Sequence, residues 1–265
     1  MSAGLVIVKL GGSVITRKRE EARLRPKLLD RLARELAESG NPSLIVLHGA
    51  GSFGHPMAAR FGLAQPPEVG SEKRRSRGAA LVAADVRRLD LAVLTALAKA
   101  GASPFSLPPY PIAENDRGRL AALDSGAFAR ALESGALPVS FGDVVVDRSW
   151  GFSILSADTI ALELARKLQA HRVIFVSDVE GIYELGPPGR RTTVPLVTPD
   201  LVARLRPTSK GPDVTGGIRA KAETMLAIAE GGCDAGLISG LRNGTLLRAL
   251  RGDAVYGSWA KAASR

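Results

Sequence analysis

Few of the residues that build metal sites and disulfide frameworks occur in this sequence. Its 265 residues include a single cysteine, Cys233, so no disulfide can form within the chain, and a thiolate metal site is disfavoured. The three histidines form no HExxH motif, which argues against a zinc hydrolase. No apolar run approaches the roughly 18 residues of a membrane span, and the apolar start of the chain, which contains Lys9, predicts a first strand rather than a signal peptide. We therefore expect a soluble cytoplasmic protein that has no membrane span and no metal held by protein ligands.

The composition is that of an ordinary globular protein with excess positive charge. Apolar residues make up 45% of the chain, and 36 Lys and Arg stand against 26 Asp and Glu, for a net charge of +10. Such a charge favours anionic partners, which include phosphorylated small molecules, nucleic acids and membrane surfaces. Aromatic residues make up only 5% of the chain and no nucleic-acid-binding module is recognised, so we expect no nucleic-acid partner.

Apolar runs alternate with helical patterns along the whole chain. Strands are predicted at 6–10, 44–47, 137–141, 173–177 and 235–238, with an extended segment at 143–147 and a short strand near Val255. Helices are predicted at 26–39, 78–100, 156–168, 217–230 and 245–251, and Pro/Gly-rich loops at 63–76 and 186–194. Strands that alternate with helices form a mainly parallel sheet covered on both faces, and such sheets bind ligands at the carboxyl ends of their strands.

The first strand ends in a glycine pair beside a lysine. Gly11 and Gly12 allow the backbone to approach a ligand and to point N–H groups at an anion, and Lys9 adds a positive charge. Lys18 follows nine residues after Lys9. The segment therefore predicts a phosphate site, with a tight turn and two solvated lysines as the alternative.

The second strand leads into the sequence His48-Gly-Ala-Gly-Ser-Phe-Gly-His55-Pro56, which matches G-x-G-x-x-G. Two features argue against a dinucleotide-binding turn: the motif follows the second strand, and the acidic residue about 20 positions later, Glu68, lies in a proline-rich loop. We expect His55, next to Pro56, to lie at the mouth of a helix amino terminus, where it would meet an anion.

Three further segments carry polar or glycine residues at predicted element ends. Asp158 falls in the first turn of a helix, where it orients active-site lysines or only complements the helix dipole. Asp178 follows a strand, and Tyr183 is placed to flank an adenine. Gly216 and Gly217 enter a helix with Lys221 one turn further on, a pattern that favours phosphate binding.

Taken in order, these five segments resemble the amino acid kinase superfamily, and within it the isopentenyl phosphate kinase family. The matching segments are 9–18, 48–56, 151–158, 177–183 and 214–221, and 240–250 is similar to the family's carboxyl-terminal segment. His55 narrows the resemblance, because amino-acid and acetylglutamate kinases of this superfamily lack that histidine. Walker A, G-x-S-x-G and protein-kinase motifs are all absent from the sequence.

The resemblance implies one amino acid kinase domain with an α/β fold, a three-layer α/β/α sandwich around a mainly parallel central sheet. About 1–170 would form the phosphate-acceptor lobe and about 171–265 the ATP-binding lobe. It also implies ATP with Mg²⁺, a cytoplasmic homodimer, and isopentenyl phosphate as the acceptor, with dimethylallyl phosphate as a further acceptor. The product, isopentenyl diphosphate, would feed an archaeal-type mevalonate route to isoprenoids.

The resemblance also assigns roles to individual residues. The catalytic residues would be Lys9, Lys18, His55, Asp158 and Lys221. ATP would be bound by Lys9, Leu10, Gly11, Gly12, Ser13, Gly51, Asp178, Tyr183, Gly216, Gly217 and Lys221. The acceptor would be bound by Ala50, Gly51, Gly54, His55 and Ala157.

Some positions depart from the family, and two alternatives stay open. Ala157 and Thr159 stand where the family commonly has a glycine and a second acid, Ala50 where glycine is frequent, and Arg17 where an acid is common. A fosfomycin kinase-like phosphonate kinase shares the histidine-bearing loop and would differ in its tail pocket. An NAD-dependent oxidoreductase would instead use the glycine loop at 49–54.

Overall fold

The computed structural model describes residues 4–17, 20–185, 191–205 and 217–263. The strands are β1 (Val6–Leu10), β2 (Leu44–His48), β3 (Pro104–Ser106), β4 (Ala113–Asp116), β5 (Arg119–Leu123), β6 (Leu137–Phe141), β7 (Asp143–Asp147), β8 (Gly151–Leu155), β9 (Arg172–Ser177), β10 (Tyr183–Leu185), β11 (Arg191–Thr193), β12 (Asp234–Ser239) and β13 (Gly257–Ala260). The helices are α1 (Gly12–Ile15), α2 (Pro26–Glu38), α3 (Gly51–Arg60), α4 (Glu72–Lys99), α5 (Pro109–Ile112), α6 (Ser125–Glu133), α7 (Ala157–Lys167), α8 (Pro199–Arg204), α9 (Gly217–Glu230) and α10 (Thr245–Leu250).

A seven-stranded sheet forms the centre of the fold, in the order β13-β12-β9-β1-β2-β6-β3. Every neighbouring pair is parallel except β12 and β13, which are antiparallel. The predicted, mainly parallel central sheet is therefore confirmed. Its interior strands begin and end in register, so that Leu10 of β1 lies beside His48 of β2 and Val176 of β9.

Helices cover both faces of this sheet, because both faces are apolar. In β1, Ile7 packs into a cluster with α7 and α9, whereas Val6 and Val8 pack into a second cluster with α2 and α4. A strand buried on both faces needs a continuous apolar run rather than an alternating one, which is what this sequence has. The predicted three-layer sandwich is the result.

The helix ends follow the predicted signals. Pro26 occupies the first position of α2, and Gly40, just past its end, has φ = +63°, which glycine adopts without strain. The hydroxyl of Ser156 accepts a hydrogen bond from the N–H of Thr159 at 3.0 Å and so caps α7 as expected. Among the described residues, no helix combines the length and the apolarity that crossing a bilayer requires.

Several predicted boundaries are wrong. The loop predicted at 63–76 ends at Ser71, since α4 begins at Glu72. Arg75, in the first turn of α4, is buried, and it donates to the carbonyls of Gly62 (2.5 Å) and Phe152 (2.7 Å). The loop predicted at 186–194 contains β11, which pairs antiparallel with β10, and its residues 186–190 lie outside the described part. The last strand begins at Gly257 rather than near Val255. A separate four-stranded sheet, in the order β5-β4-β7-β8, was not predicted.

Candidate active site

The predicted glycine segments meet at the carboxyl edge of the central sheet. There the N–H of Gly11 donates to the carbonyl of Val176 at 2.8 Å, and the N–H of Gly49 donates to that of Leu10 at 2.9 Å. The N–H of Gly142 donates in the same way to the carbonyl of His48 at 2.9 Å. These bonds hold the loops after β1, β2 and β6 side by side around a cavity of about 620 Å³.

Two of these loops touch backbone to backbone, which explains their glycines. A Cβ atom on Gly12 would fall on the backbone nitrogen and Cα of Gly51, and Gly51 itself has φ = +51°. Thr16 joins the loops, because its hydroxyl donates to the carbonyl of Gly12 at 2.7 Å and accepts from the N–H of Ser52 at 3.0 Å. The glycines of both loops border the cavity.

One carboxylate and two lysines form the charged centre of the cavity. Asp158 lies 2.7 Å from the Nζ of Lys9 and 2.5 Å from the Nζ of Lys221, and all three side chains are partly buried. Burial alone would raise the pKa of the Asp158 carboxyl, but the charges of Lys221 and Lys9 hold it well below its ordinary value. The site therefore carries two ammonium groups bridged by a permanent carboxylate, with a net charge suited to phosphate groups.

A second polar contact ties the first glycine loop to the end of β9. The hydroxyl of Ser13 donates to Asp178 at 2.7 Å, and Asp178 also borders the cavity. The contact joins residues 165 positions apart in the sequence. It fixes the Gly11–Gly12 turn, defined by its two glycines, against the carboxyl-terminal half of the chain.

The position expected for His55 is wrong in detail. Helix α3 begins at Gly51, so His55 lies in its second turn rather than before it, and Pro56 lies inside the helix. Pro56 has no N–H to donate to the carbonyl of Ser52, and that carbonyl instead accepts from the N–H of Ala22 at 3.0 Å. His55 nevertheless faces the cavity together with the glycine loop.

The structure brings most of the predicted site residues together. The cavity is lined by Lys9, Gly11, Gly12, Ser13, Ala50, Gly51, Gly54, His55, Ala157, Asp158, Asp178, Gly217 and Lys221. Leu10 and Tyr183 do not border the cavity. Leu10 lies in the core, and the hydroxyl of Tyr183 accepts from the N–H of Glu180 at 3.0 Å. Lys18 and Gly216 lie outside the described residues.

Sequence reasoning missed a group of polar residues at the cavity, of which His48, Asp90 and Asp143 are buried and Arg87 is partly exposed. His48 lies 3.3 Å from Asp90, and Asp143 lies 3.1 Å from Arg87. Asp143 also lines the cavity. The one available signal was its position directly after Gly142 at a strand end, because the other members are distant in sequence.

The residues that line the cavity suit the phosphates of a nucleoside triphosphate better than a metal ion held by protein ligands. Two lysines and the N–H groups of glycine turns border one cavity, and such groups bind phosphates. Within the described ranges, no three His, Cys, Asp or Glu side chains lie close enough together to hold a metal ion. A divalent cation would fit here as a companion of the bound phosphates.

Comparisons with known proteins agree with this geometry. The sequence profile described as "Amino acid kinase family" matches residues 4–239. The isopentenyl phosphate kinase of Methanothermobacter thermautotrophicus is 36% identical over 261 residues, which cover 96% of this chain and 98% of that protein. That of Thermoplasma acidophilum is 34% identical, over 84% of this chain and 86% of the relative.

A solved structure shows the same likeness in three dimensions. The X-ray structure of an isopentenyl phosphate kinase superposes with a TM-score of 0.83 at 31% identity, and the match covers 96% of this chain and 99% of the other. The match extends over nearly the full length of both chains, so the likeness is not confined to the glycine loops. The chain therefore belongs to the amino acid kinase family and, within it, to the isopentenyl phosphate kinases.

Proposed function

We propose that this protein transfers the γ-phosphoryl group of ATP to isopentenyl phosphate, giving isopentenyl diphosphate and ADP. The observation that carries the proposal is the Lys9–Asp158–Lys221 triad, which shares one cavity with the glycine loop that bears His55. The triad suits a chain of donor phosphates, and the loop suits a second anion. A site that accepts two anions end to end is what transfer to a phosphate monoester requires.

The donor phosphates bind at the triad in this proposal. Lys9 and Lys221 contact them, and the N–H groups of Gly12 and of the start of α9 add neutral donors. We assign Lys18 to stabilising the transferring phosphoryl group and Gly216 to binding the donor phosphates. Asp178 and Tyr183 are assigned to the nucleotide side.

The acceptor binds at the loop after β2. His55 and the N–H groups of Ala50 and Gly51 hold its phosphate, with Gly54 and Ala157 beside them. Beyond this point the lining becomes apolar at Ala58, Val82 and Ile154, which suits a short hydrocarbon tail. Dimethylallyl phosphate, which has the same head and a tail of the same size, is assigned as a further acceptor.

The reaction itself needs positioning and charge more than proton transfer. An oxygen of the acceptor phosphate is already anionic, so it attacks the γ-phosphorus directly, and the bond from that phosphorus to the β–γ bridging oxygen breaks in line. Asp158 keeps the two lysines charged and close together, so that they meet the charge that spreads over the transferring group. Mg²⁺ bound to the donor phosphates would neutralise part of their charge.

The proposed function also implies how the chain divides into lobes and assembles. About 1–170 would form the phosphate-acceptor lobe and about 171–265 the ATP-binding lobe, and the first lobe would also contribute Lys9 and Asp158 to the donor phosphates. We also propose a cytoplasmic homodimer, as the family resemblance implies.

The test is an assay of ATP- and Mg²⁺-dependent transfer, with isopentenyl phosphate, dimethylallyl phosphate and fosfomycin offered side by side and the products identified by ³¹P NMR. We expect a diphosphate from the prenyl phosphates and little from fosfomycin. Preference for fosfomycin would move the protein to phosphonate chemistry with the same mechanism. NAD(H) binding without any transfer from ATP would overturn the proposal in favour of an oxidoreductase.

A further inference from the structure

A buried cluster of charged side chains lies beneath the acceptor end of the cavity and has no part in the mechanism above. We define it as His48, Arg87, Asp90 and Asp143. His48 and Asp143 are 0% and 2% exposed and Asp90 is 5% exposed, whereas the side chain of Arg87 is 39% exposed and reaches in from the surface. The imidazole Nε2 lies 3.3 Å from Asp90, which accepts a further hydrogen bond from the hydroxyl of Ser106 at 2.6 Å. Arg87 lies 3.1 Å from Asp143.

This cluster is joined to the loop that binds the acceptor in the proposed function. His48 is the last residue of β2, and its Nδ1 lies 3.3 Å from the carbonyl of Gly49, the first residue of that loop. Its ring stacks on Phe141 with centroids 5.2 Å apart. On the other side, Asp143 borders the cavity directly. Helix α4, which carries Arg87 and Asp90, is thereby fastened to the ends of β2 and β6.

The charges of the cluster do not balance. Arg87 contributes one positive charge and the two aspartates two negative charges, so the arginine and the aspartates together carry −1. A buried negative charge is costly, and it also repels an anion in the neighbouring cavity. One bound proton brings the cluster to neutrality. Both oxygens of Asp143 are buried, and Oδ2 lies 3.1 Å from Arg87, so an added proton belongs on Oδ1, where the ion pair is kept.

We propose that this cluster positions the acceptor loop and takes up one proton when the acceptor anion binds. The inference rests on the proposed function, because it assigns the acceptor to the loop after β2. Burial raises the pKa of the Asp143 carboxyl to about 6, although Arg87 and His48 both act to lower it. The proton is therefore exchangeable in the range where the enzyme would be assayed. The other charged or titratable side chains that line the cavity are Lys9, His55, Asp158, Asp178 and Lys221.

The test compares the wild type with Asp143→Asn, which has the shape of the protonated acid but cannot titrate. The acceptor also titrates near neutral pH, but it does so identically in both assays and cancels in their ratio. We expect the wild-type KM for isopentenyl phosphate, divided by that of the variant, to rise about tenfold or more between about pH 6 and about pH 8. The KM for ATP should not show this dependence, since the proposed function assigns ATP to the triad and the acceptor to the loop after β2.

A direct measurement of the proton supports or overturns the same inference. Isothermal titration of isopentenyl phosphate into the wild type, in two buffers of different ionisation enthalpy, gives the number of protons taken up. We expect the wild type to take up more protons than Asp143→Asn, by a difference approaching one. Wild-type uptake that is fully accounted for by the titration of the acceptor itself would overturn the inference, even if the variant did not fold.

The positioning role of His48 is tested with two substitutions, one that keeps a hydrogen-bond donor and one that removes it. His48→Gln keeps a side-chain donor within reach of Asp90, whereas His48→Leu removes it. We expect His48→Leu to raise the acceptor KM about tenfold, His48→Gln to restore most of the loss, and kcat to change less than KM in both. Asp85→Asn, on α4 but paired with the exposed Arg88, is the matched control and should leave both constants unchanged.

The outcomes separate the two proposals. If the wild type and Asp143→Asn both turn over isopentenyl phosphate and their KM for it depends on pH in the same way, the role of the cluster is overturned and the proposed function stands. A wild type that does not phosphorylate isopentenyl phosphate would overturn the proposed function itself. Equal acceptor KM values for His48→Leu and the wild type would overturn the positioning role of His48.

Discussion

Asp158 is the residue on which the geometry of the charged centre depends. Its two carboxylate oxygens hold Lys9 and Lys221 at 2.7 Å and 2.5 Å. In Asp158→Asn the ammonium groups repel one another and lose this shared partner, so we expect kcat to fall on the order of 10²-fold. The measurement is kcat at saturating ATP and acceptor, with Asp200→Asn on the exposed first turn of α8 as the control. A kcat near that of the wild type would show that the lysines do not need the carboxylate.

His55 is predicted to act on the acceptor rather than on ATP. It faces the cavity from the second turn of α3, next to the glycine loop. We expect His55→Ala to raise the KM for isopentenyl phosphate by about tenfold or more, as for loss of a charge-assisted hydrogen bond, and to leave the KM for ATP within about twofold. The exposed His171 supplies the control, His171→Ala. Wild-type kinetics in His55→Ala would remove this histidine from the acceptor site.

The raised pKa of Asp143 also predicts how stability depends on pH. Because the folded-state pKa of about 6 lies above the ordinary value of 3.8, the folded protein binds more protons than the unfolded chain between these pH values. The contribution of this group to stability therefore declines as the pH rises through that window and stays low above it. From about pH 4 to about pH 7, the free energy of unfolding of Asp143→Asn should gain about 2 kcal/mol relative to the wild type, as measured by urea denaturation. A constant difference between the two proteins would contradict the raised pKa.

At the scale of elements, helix α10 is capped by a residue of another helix. Gly244 offers α10 no side-chain cap, and the carboxylate of Glu35 on α2 accepts instead from the N–H groups of Gly244 (3.1 Å), Leu246 (3.1 Å) and Leu247 (3.2 Å). Glu35 also pairs with Arg31 at 2.5 Å. The contact fastens the carboxyl-terminal segment to the amino-terminal half of the chain.

Removing this cap should cost measurable stability. In Glu35→Ala the three N–H groups lose their acceptor, and Leu246 is buried, so we expect the free energy of unfolding to fall by about 2–4 kcal/mol. Glu35→Gln keeps an acceptor oxygen and should lose about half as much. Urea denaturation gives the values, and Glu38→Ala, an exposed site on the same helix, should change stability by less than about 0.5 kcal/mol. Equal stability of Glu35→Ala and Glu38→Ala would refute the capping role.

Elements that are buried on both faces could be predicted from the sequence, and elements held by distant polar contacts could not. Strands β1, β2 and β9 each contain a run of three or four apolar residues, so their positions follow from the sequence pattern. Strands β4 and β5 are short, and the turn between them is held by Asp147, which accepts from the N–H groups of Arg117 (3.1 Å) and Gly118 (2.7 Å). Those partners lie about 30 residues away in the sequence, and no local pattern marks them.

The candidate site likewise has a part that the sequence predicts and a part that it does not. Glycine turns and lysines at strand ends were predictable, because parallel strands bring their carboxyl ends to one edge of the sheet. The link between His48 and Asp90 spans 42 residues and joins a strand to a helix. Asp90 lies in a helical pattern that gives it no special position, so only the packing of α4 against the sheet reveals the cluster.

At the scale of the whole molecule, one edge of the central sheet is exposed. Strand β3 pairs only with β6 in the part of the chain that the structure describes, and it ends the strand order. Phe105 on this strand is 60% exposed, and Leu91 on the neighbouring α4 is 65% exposed. An uncovered edge strand with apolar side chains is a template for pairing with another chain. This surface is therefore where we place the interface of the proposed homodimer.

Substitution at this edge tests that placement. A lysine at position 105 would bring charge into a buried apolar contact, so at micromolar concentration we expect the wild type to sediment as a dimer and Phe105→Lys as a monomer. Val69→Lys is the matched control, because Val69 is fully exposed in the loop before α4 and lies away from β3. Sedimentation velocity distinguishes the species. A dimeric Phe105→Lys protein would place the interface elsewhere, whereas a monomeric wild type would show that this chain completes its active site without a partner.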